Sequence, residues 1–176
     1  MSDLLLVCRL TLICVLAVAG LAKLRDRRRF ASALGDLTVP AAARPALAVL
    51  VPAAELLAAV LLAVPRTITA GLAVAAALCA AFSVVAVTTM RRGSPAGCPC
   101  FGSRTTVPMG PWHVARNAVL TVLALLGGVI ALTQGATASY DAPALVLAVA
   151  VAGYLTTLAV FTDDLAFFFS ARTGQR

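Results

Sequence analysis

Five apolar runs constrain this chain more than any other feature. They are Leu4–Leu21, Ala46–Val64, Ile68–Met90, Val114–Thr133 and Ala144–Phe161. A helix needs about 20 apolar residues to cross a hydrocarbon core of roughly 30 Å, and each run approaches or meets that length. The chain is 61% hydrophobic and only 12% charged. Ordinary soluble domains carry roughly 25% charged residues, so too little polar surface remains to cover a soluble globule. Alternating ten-residue segments of the β-barrel type are absent. The expected fold is an all-α integral membrane protein. It is a bundle of about five transmembrane helices in one domain, residues 1–176, embedded in the lipid bilayer.

The net charge of +7 is distributed by topology, and it is not a nucleic-acid signature. Lys23, Arg25, Arg27, Arg28, Arg29 and Arg44 fall in the loop after the first run. Arg91, Arg92 and Arg104 fall after the third, and Arg172 and Arg176 in the tail. The opposite side carries Arg66, with Arg9 near the start of the first run. Cytoplasmic loops carry the excess of Lys and Arg. The reading is therefore a multi-pass protein of the cell membrane with its N-terminus outside and its C-terminus in the cytoplasm. Met1-Ser2-Asp3 offers no basic region ahead of the first run, which argues for a retained helix rather than a cleaved signal.

The connections add detail. Arg27–Leu37 suits an interfacial helix with Phe30, Ala33, Leu34 and Leu37 on one face, broken by Asp36–Pro40. Pro52 interrupts the second run and is expected to kink it. The tight Pro65-Arg66-Thr67 turn makes the second and third helices antiparallel neighbours. The segment Arg91–Pro111 holds four prolines and four glycines, which forbid a regular helix. Pro111-Trp112 opens the fourth span. Gly127-Gly128 suits close helix packing, and Phe161–Phe169 is expected along the membrane surface.

That proline- and glycine-rich loop contains Cys98-Pro99-Cys100, two thiols two residues apart. A Cys-x-Cys pair closes only a small, strained disulfide, and strain makes such a bond labile. Nearby cations favour the reactive thiolate, and Arg91, Arg92 and Arg104 are close in sequence. Thiol–disulfide exchange is one reading. Soft-metal binding, of copper or zinc, by Cys98, Cys100, Met109 and His113 is another. Purely structural cysteines are the third. Cys8, Cys14 and Cys79 lie in apolar runs, where cysteine behaves as a small hydrophobe.

Two further features stand out. Glu55 is a carboxylate in mid-span, expensive there and functional by default; Arg116 or Arg9 is its expected partner. Trp112, His113, Arg116 and Asn117 open the helix after the cysteine loop. Trp112 shares a face with Arg116, and His113 with Asn117. Arg116 is positioned to steady a thiolate, and His113, the only histidine, to move a proton. Phosphate-binding glycine loops, haem-attachment motifs and Ser/His/Asp sets are absent.

With Cys98-Pro-Cys100-Phe-Gly after the third run and Trp112-x-x-x-Arg116-Asn117 opening the fourth, the chain resembles the MauE family, a methylamine-utilisation group related to DoxX. Gly20-Leu-Ala-Lys23-Leu, Arg25-Asp26-Arg-Arg-Arg-Phe30 and Pro52-x-x-Glu55 also fit. The resemblance implies a DoxX-like four-helix core plus one helix. It implies a redox-associated protein that helps mature extracytoplasmic proteins, of which methylamine dehydrogenase is one client, with a thioredoxin-like partner. It marks Cys98 and Cys100 as the redox pair, and quinone is the candidate electron carrier. A partner outside the membrane needs thiols facing outside, whereas the charge asymmetry puts them inside. A soft-metal protein and a non-catalytic assembly subunit are the competing readings.

Overall fold

A computed structural model describes residues 2–37, 39–94, 109–134 and 141–173, with side chains described from residue 3 to residue 161 within those ranges. Among the described residues there is no strand. Six α-helices occur: α1 Ser2–Arg25, α2 Arg27–Asp36, α3 Arg44–Ala63, α4 Ile68–Arg91, α5 Pro111–Gln134 and α6 Ala142–Thr173. All but α2 are long and apolar enough to cross a membrane.

Helix α1 is the axis of the bundle. It packs on α3, α5 and α6, and touches α2 and α4. Half of its most apolar stretch is buried, against 11% for α6, which places α6 at the periphery facing lipid. The core joins Leu12, Val15 and Leu16 of α1 to Ala58 and Leu62 of α3, Leu72 and Ala75 of α4, and Leu120 and Ala124 of α5. Helices α4 and α5 form the most extensive pair.

Small residues set how closely these helices approach. A Cβ at Gly71 would lie 2.7 Å from the Leu62 backbone nitrogen, so α4 meets the end of α3 with no room for a side chain. The two helices are joined by a 3-10 turn over Pro65–Thr67, where the Thr67 hydroxyl donates to the Leu61 carbonyl at 2.7 Å. Gly127 faces Leu72 and Cys8, whereas a Cβ at Gly128 would meet nothing within 4 Å among the described residues. Only the first of that glycine pair serves packing.

The short helix α2 follows its amphipathic pattern. The Asp26 carboxylate accepts from the Arg29 backbone N–H at 3.2 Å, an N-cap of the usual kind. Phe30, Ala33 and Leu34 are buried, and Phe30 and Leu34 pack on Ala48 of α3. Arg44, expected as a loop cation, is the first residue of α3; its Nε donates to the Val39 carbonyl at 2.9 Å.

Two expectations need correcting. Helix α1 does not stop near Leu21 but continues to Arg25, so Lys23 is a helix residue rather than a loop charge. The residues after Ala22 still favour helix, and a lysine can remain in an apolar helix when it finds a partner. Helix α6 also continues, to Thr173, through the stretch expected to lie along the membrane surface. At 1.5 Å per residue it is about 48 Å long, well beyond a hydrocarbon core of about 30 Å.

Candidate functional site

The helix register of α1 points Lys23 inward, against the middle of α3. Lys23 is 2% exposed and Glu55 is 1% exposed. The Lys23 ammonium donates to both Glu55 carboxylate oxygens, at 2.7 and 3.0 Å, and lies 3.4 Å from the Ala19 carbonyl one turn back. Its charge also faces two rings, with centroids at 5.8 Å for Phe30 and 5.5 Å for Phe82; such cation–π contacts strengthen where water is excluded. Helix α2 therefore contributes directly: its Phe30 covers the ammonium.

Glu55 thus pairs with neither expected partner. Arg9 is engaged elsewhere, donating to the Leu62 and Ala63 carbonyls at 2.5 and 2.7 Å. Those carbonyls belong to the last turn of α3, which lacks intrahelical donors. Arg9 acts as its C-terminal cap. Lys23 was missed because it was counted with the arginines that follow it. A signal was present: it is the one lysine among fourteen basic residues, and it stands a helical turn beyond Gly20.

The pair borders a cavity of about 20 Å³ that is also lined by Cys79, Phe82, Arg116, Asn117 and Leu120. That is room for roughly one water molecule. Arg116 is 7% exposed, buried rather than snorkelling to the headgroups, and its Nη1 lies 3.5 Å from the Ala159 carbonyl of α6. The Asn117 amide donates to the His113 carbonyl at 2.9 Å. Residues from α1, α3, α4 and α5 thus converge on one polar centre inside an otherwise apolar bundle.

The exit of the cysteine loop lies at the start of α5. Met109 and His113 are both buried. The Gly110 backbone N–H donates to His113 Nδ1 at 3.2 Å, which fixes the imidazole against the incoming chain. Trp112 is exposed, as an interfacial aromatic should be. Trp112 and Arg116 line a common cavity, as their shared helix face requires.

Cys98 and Cys100 lie outside the described residues, as does Arg104. Their loop is bounded by Ser94 after α4 and Met109 before α5. Among the described residues, Cys8 and Cys79 are buried free thiols and Cys14 is an exposed one. Cys8 packs against Gly127, and Cys79 alone reaches the polar centre. No group of three His, Cys, Asp or Glu suited to a metal occurs among the described residues.

A family model described as methylamine utilisation protein MauE matches residues 1–130, a span that contains Lys23, Glu55, Cys79, Cys98, Cys100, His113 and Arg116. No curated protein and no solved structure matches the chain.

Proposed function

The chain belongs to the MauE family, and from that premise we propose that it is a membrane thiol–disulfide redox protein. Cys98 and Cys100 cycle between dithiol and disulfide, and exchange with a thioredoxin-like partner. The exchange supports the maturation of other proteins, in the setting of methylamine utilisation that the family description names. Thiolate attack on the partner's disulfide forms a mixed disulfide, and the second cysteine then releases the reduced partner.

The observation that carries the reading is the buried Lys23–Glu55 pair beside Arg116. Charges within a membrane bundle are costly and mark functional centres by default. This centre lies toward the end of the bundle at which α4 ends and α5 begins, the end that bears the cysteine loop. Arg116 and His113, in the first turns of α5, supply a cation and a titratable ring on the helix that follows that loop in sequence. Glu55 and Lys23 share with Arg116 the lining of one small cavity. By the charge asymmetry this end faces the cytoplasm, with the N-terminus outside.

Trapping tests the proposal. Cys98→Ser and Cys100→Ser variants each leave one thiol of the pair, and one of them is expected to hold a partner as a mixed disulfide that reductant dissolves. If neither captures a thioredoxin-like protein, exchange is not the function. The burial of both Met109 and His113 favours one alternative, a copper or zinc site with Cys98 and Cys100. Stoichiometric metal in the purified protein, lost in the double serine variant, would select it. Full function of that double variant would leave only a non-catalytic assembly role.

A further inference from the structure

A second cavity lies between α1, α5 and α6, on the other side of Arg116 from the ion pair. Its volume is about 240 Å³, and it is lined by Thr11, Trp112, Arg116, Leu123, Leu155 and Ala159 among others. An apolar cavity of about 150 Å³ accepts a benzene ring, so this one takes a larger ring. Trp112 and Val119 on its wall are more than half exposed, so the cavity opens on the lipid-facing surface. Arg116 and Leu120 line both this cavity and the small one beside Lys23 and Glu55. They form the partition between them.

The wall is apolar except at a few points, and one of those is anomalous. Thr89, Thr121, Thr133 and Thr157 each donate to the carbonyl four residues back, the usual resolution for a threonine in an apolar helix. Thr11 does not. It is 1% exposed, and its hydroxyl has no hydrogen-bond partner among the described residues. Thr156 shares that condition but is only half-buried and does not line the cavity. A buried hydroxyl without a partner is destabilising, and a ligand oxygen in the cavity would supply the missing bond.

Depth identifies the ligand class. Thr11 lies about 14 Å along α1 from its first residue and about 21 Å from its last, near the middle of the bilayer. The ester carbonyls and phosphate of a glycerolipid stay near the interface and do not reach it. Arg116, with five N–H donors, lines the same cavity from near the start of α5. A ligand that suits both is neutral and lipid-soluble, with hydrogen-bond-accepting oxygens on opposite edges of a ring. We propose that this cavity binds the head of a quinone-type molecule, with Thr11 and Arg116 as its polar contacts. The inference concerns binding alone and stands apart from the fate of the Cys98–Cys100 pair.

Trp112 is the only tryptophan and lines the cavity, so its fluorescence reports occupancy. The probe is decyl-ubiquinone added to the purified full chain in detergent. Saturable quenching is expected. Thr11→Val, which keeps the side-chain shape, should weaken it about tenfold, the effect of one lost buried hydrogen bond. Ala115→Phe, on an exposed part of the wall, should abolish it without disturbing the core. Excess phosphatidylglycerol should leave it unchanged. Three results would overturn the proposal: quenching that rises without saturation, quenching as strong in both variants as in the unaltered chain, or quenching displaced by phosphatidylglycerol. The last would identify the cavity as an acyl-chain groove.

Discussion

Lys23 and Glu55 concentrate the energetic stakes of this chain in two side chains. A buried ion pair gains little over an apolar pair of similar volume, but removing one partner leaves an uncompensated charge. Glu55→Gln is therefore expected to destabilise the protein by about 3–5 kcal/mol, read as a lower unfolding midpoint in detergent. Lys23→Met combined with Glu55→Leu should recover most of that loss. If the double variant is as unstable as the single one, the pair is not the isolated buried couple described above. Stability restored without activity would show that the charges serve function, whereas stability restored with activity would make them structural.

At the same scale, the sequence identified one half of this pair and misread the other. A mid-span carboxylate announces itself, because nothing in a hydrocarbon core tolerates it unpaired. Its partner is harder to see, since a lysine at a helix end reads equally well as a topology anchor. What decides is whether the helix continues past the last purely apolar residue, and the apolar Leu24 was the available clue. Spacings of three and four residues paired Trp112 with Arg116 and His113 with Asn117 on two helix faces, but that His113, Arg116 and Asn117 are buried while Trp112 is exposed shows only in the packing. Thr11 carried no signal: only the packing of α5 and α6 around it shows that its hydroxyl lacks a partner.

Among the elements, the α3–α4 hairpin is held by close approach more than by polar contact. Gly71→Ala would drive a methyl carbon to within 2.7 Å of the Leu62 nitrogen. It is expected to cost about 1–3 kcal/mol, the usual range for overpacking. Gly128→Ala meets open space and should change stability by no more than about 0.5 kcal/mol. Unfolding midpoints of the two variants in one detergent check this. Equal losses would mean that the helices do not meet at Gly71. The apolar runs predicted five spans because hydrocarbon thickness dictates helix length. They could not give the ends of α1 and α6. Both helices outlast their apolar runs, and neither Lys23 nor the polar residues after Phe161 stop them. Helix α2 was read as an interfacial element from its amphipathic face, and three residues of that face, Phe30, Ala33 and Leu34, are buried. That it also covers an ammonium with Phe30 depends on the register of α1, which no local pattern encodes.

For the whole molecule, membership of the MauE family and a five-span helical bundle converge on one arrangement. A polar centre built from four helices lies toward the end of the bundle that carries the Cys98-Pro99-Cys100 loop, and an apolar cavity adjoins it across Arg116. The redox function proposed for this molecule requires that those two thiols cycle. Differential alkylation, read by intact mass, decides whether they do. Cells are treated first with a membrane-impermeant thiol reagent. They are then opened, and the protein is alkylated with and without prior reduction. The account predicts a population in which two labels are gained only after reduction, abolished in the Cys98→Ser/Cys100→Ser double variant. The charge asymmetry adds that the impermeant reagent leaves the pair untouched; labelling of intact cells would reverse the orientation alone. A pair that takes the same two labels with and without reduction, under every growth condition, would contradict the redox account.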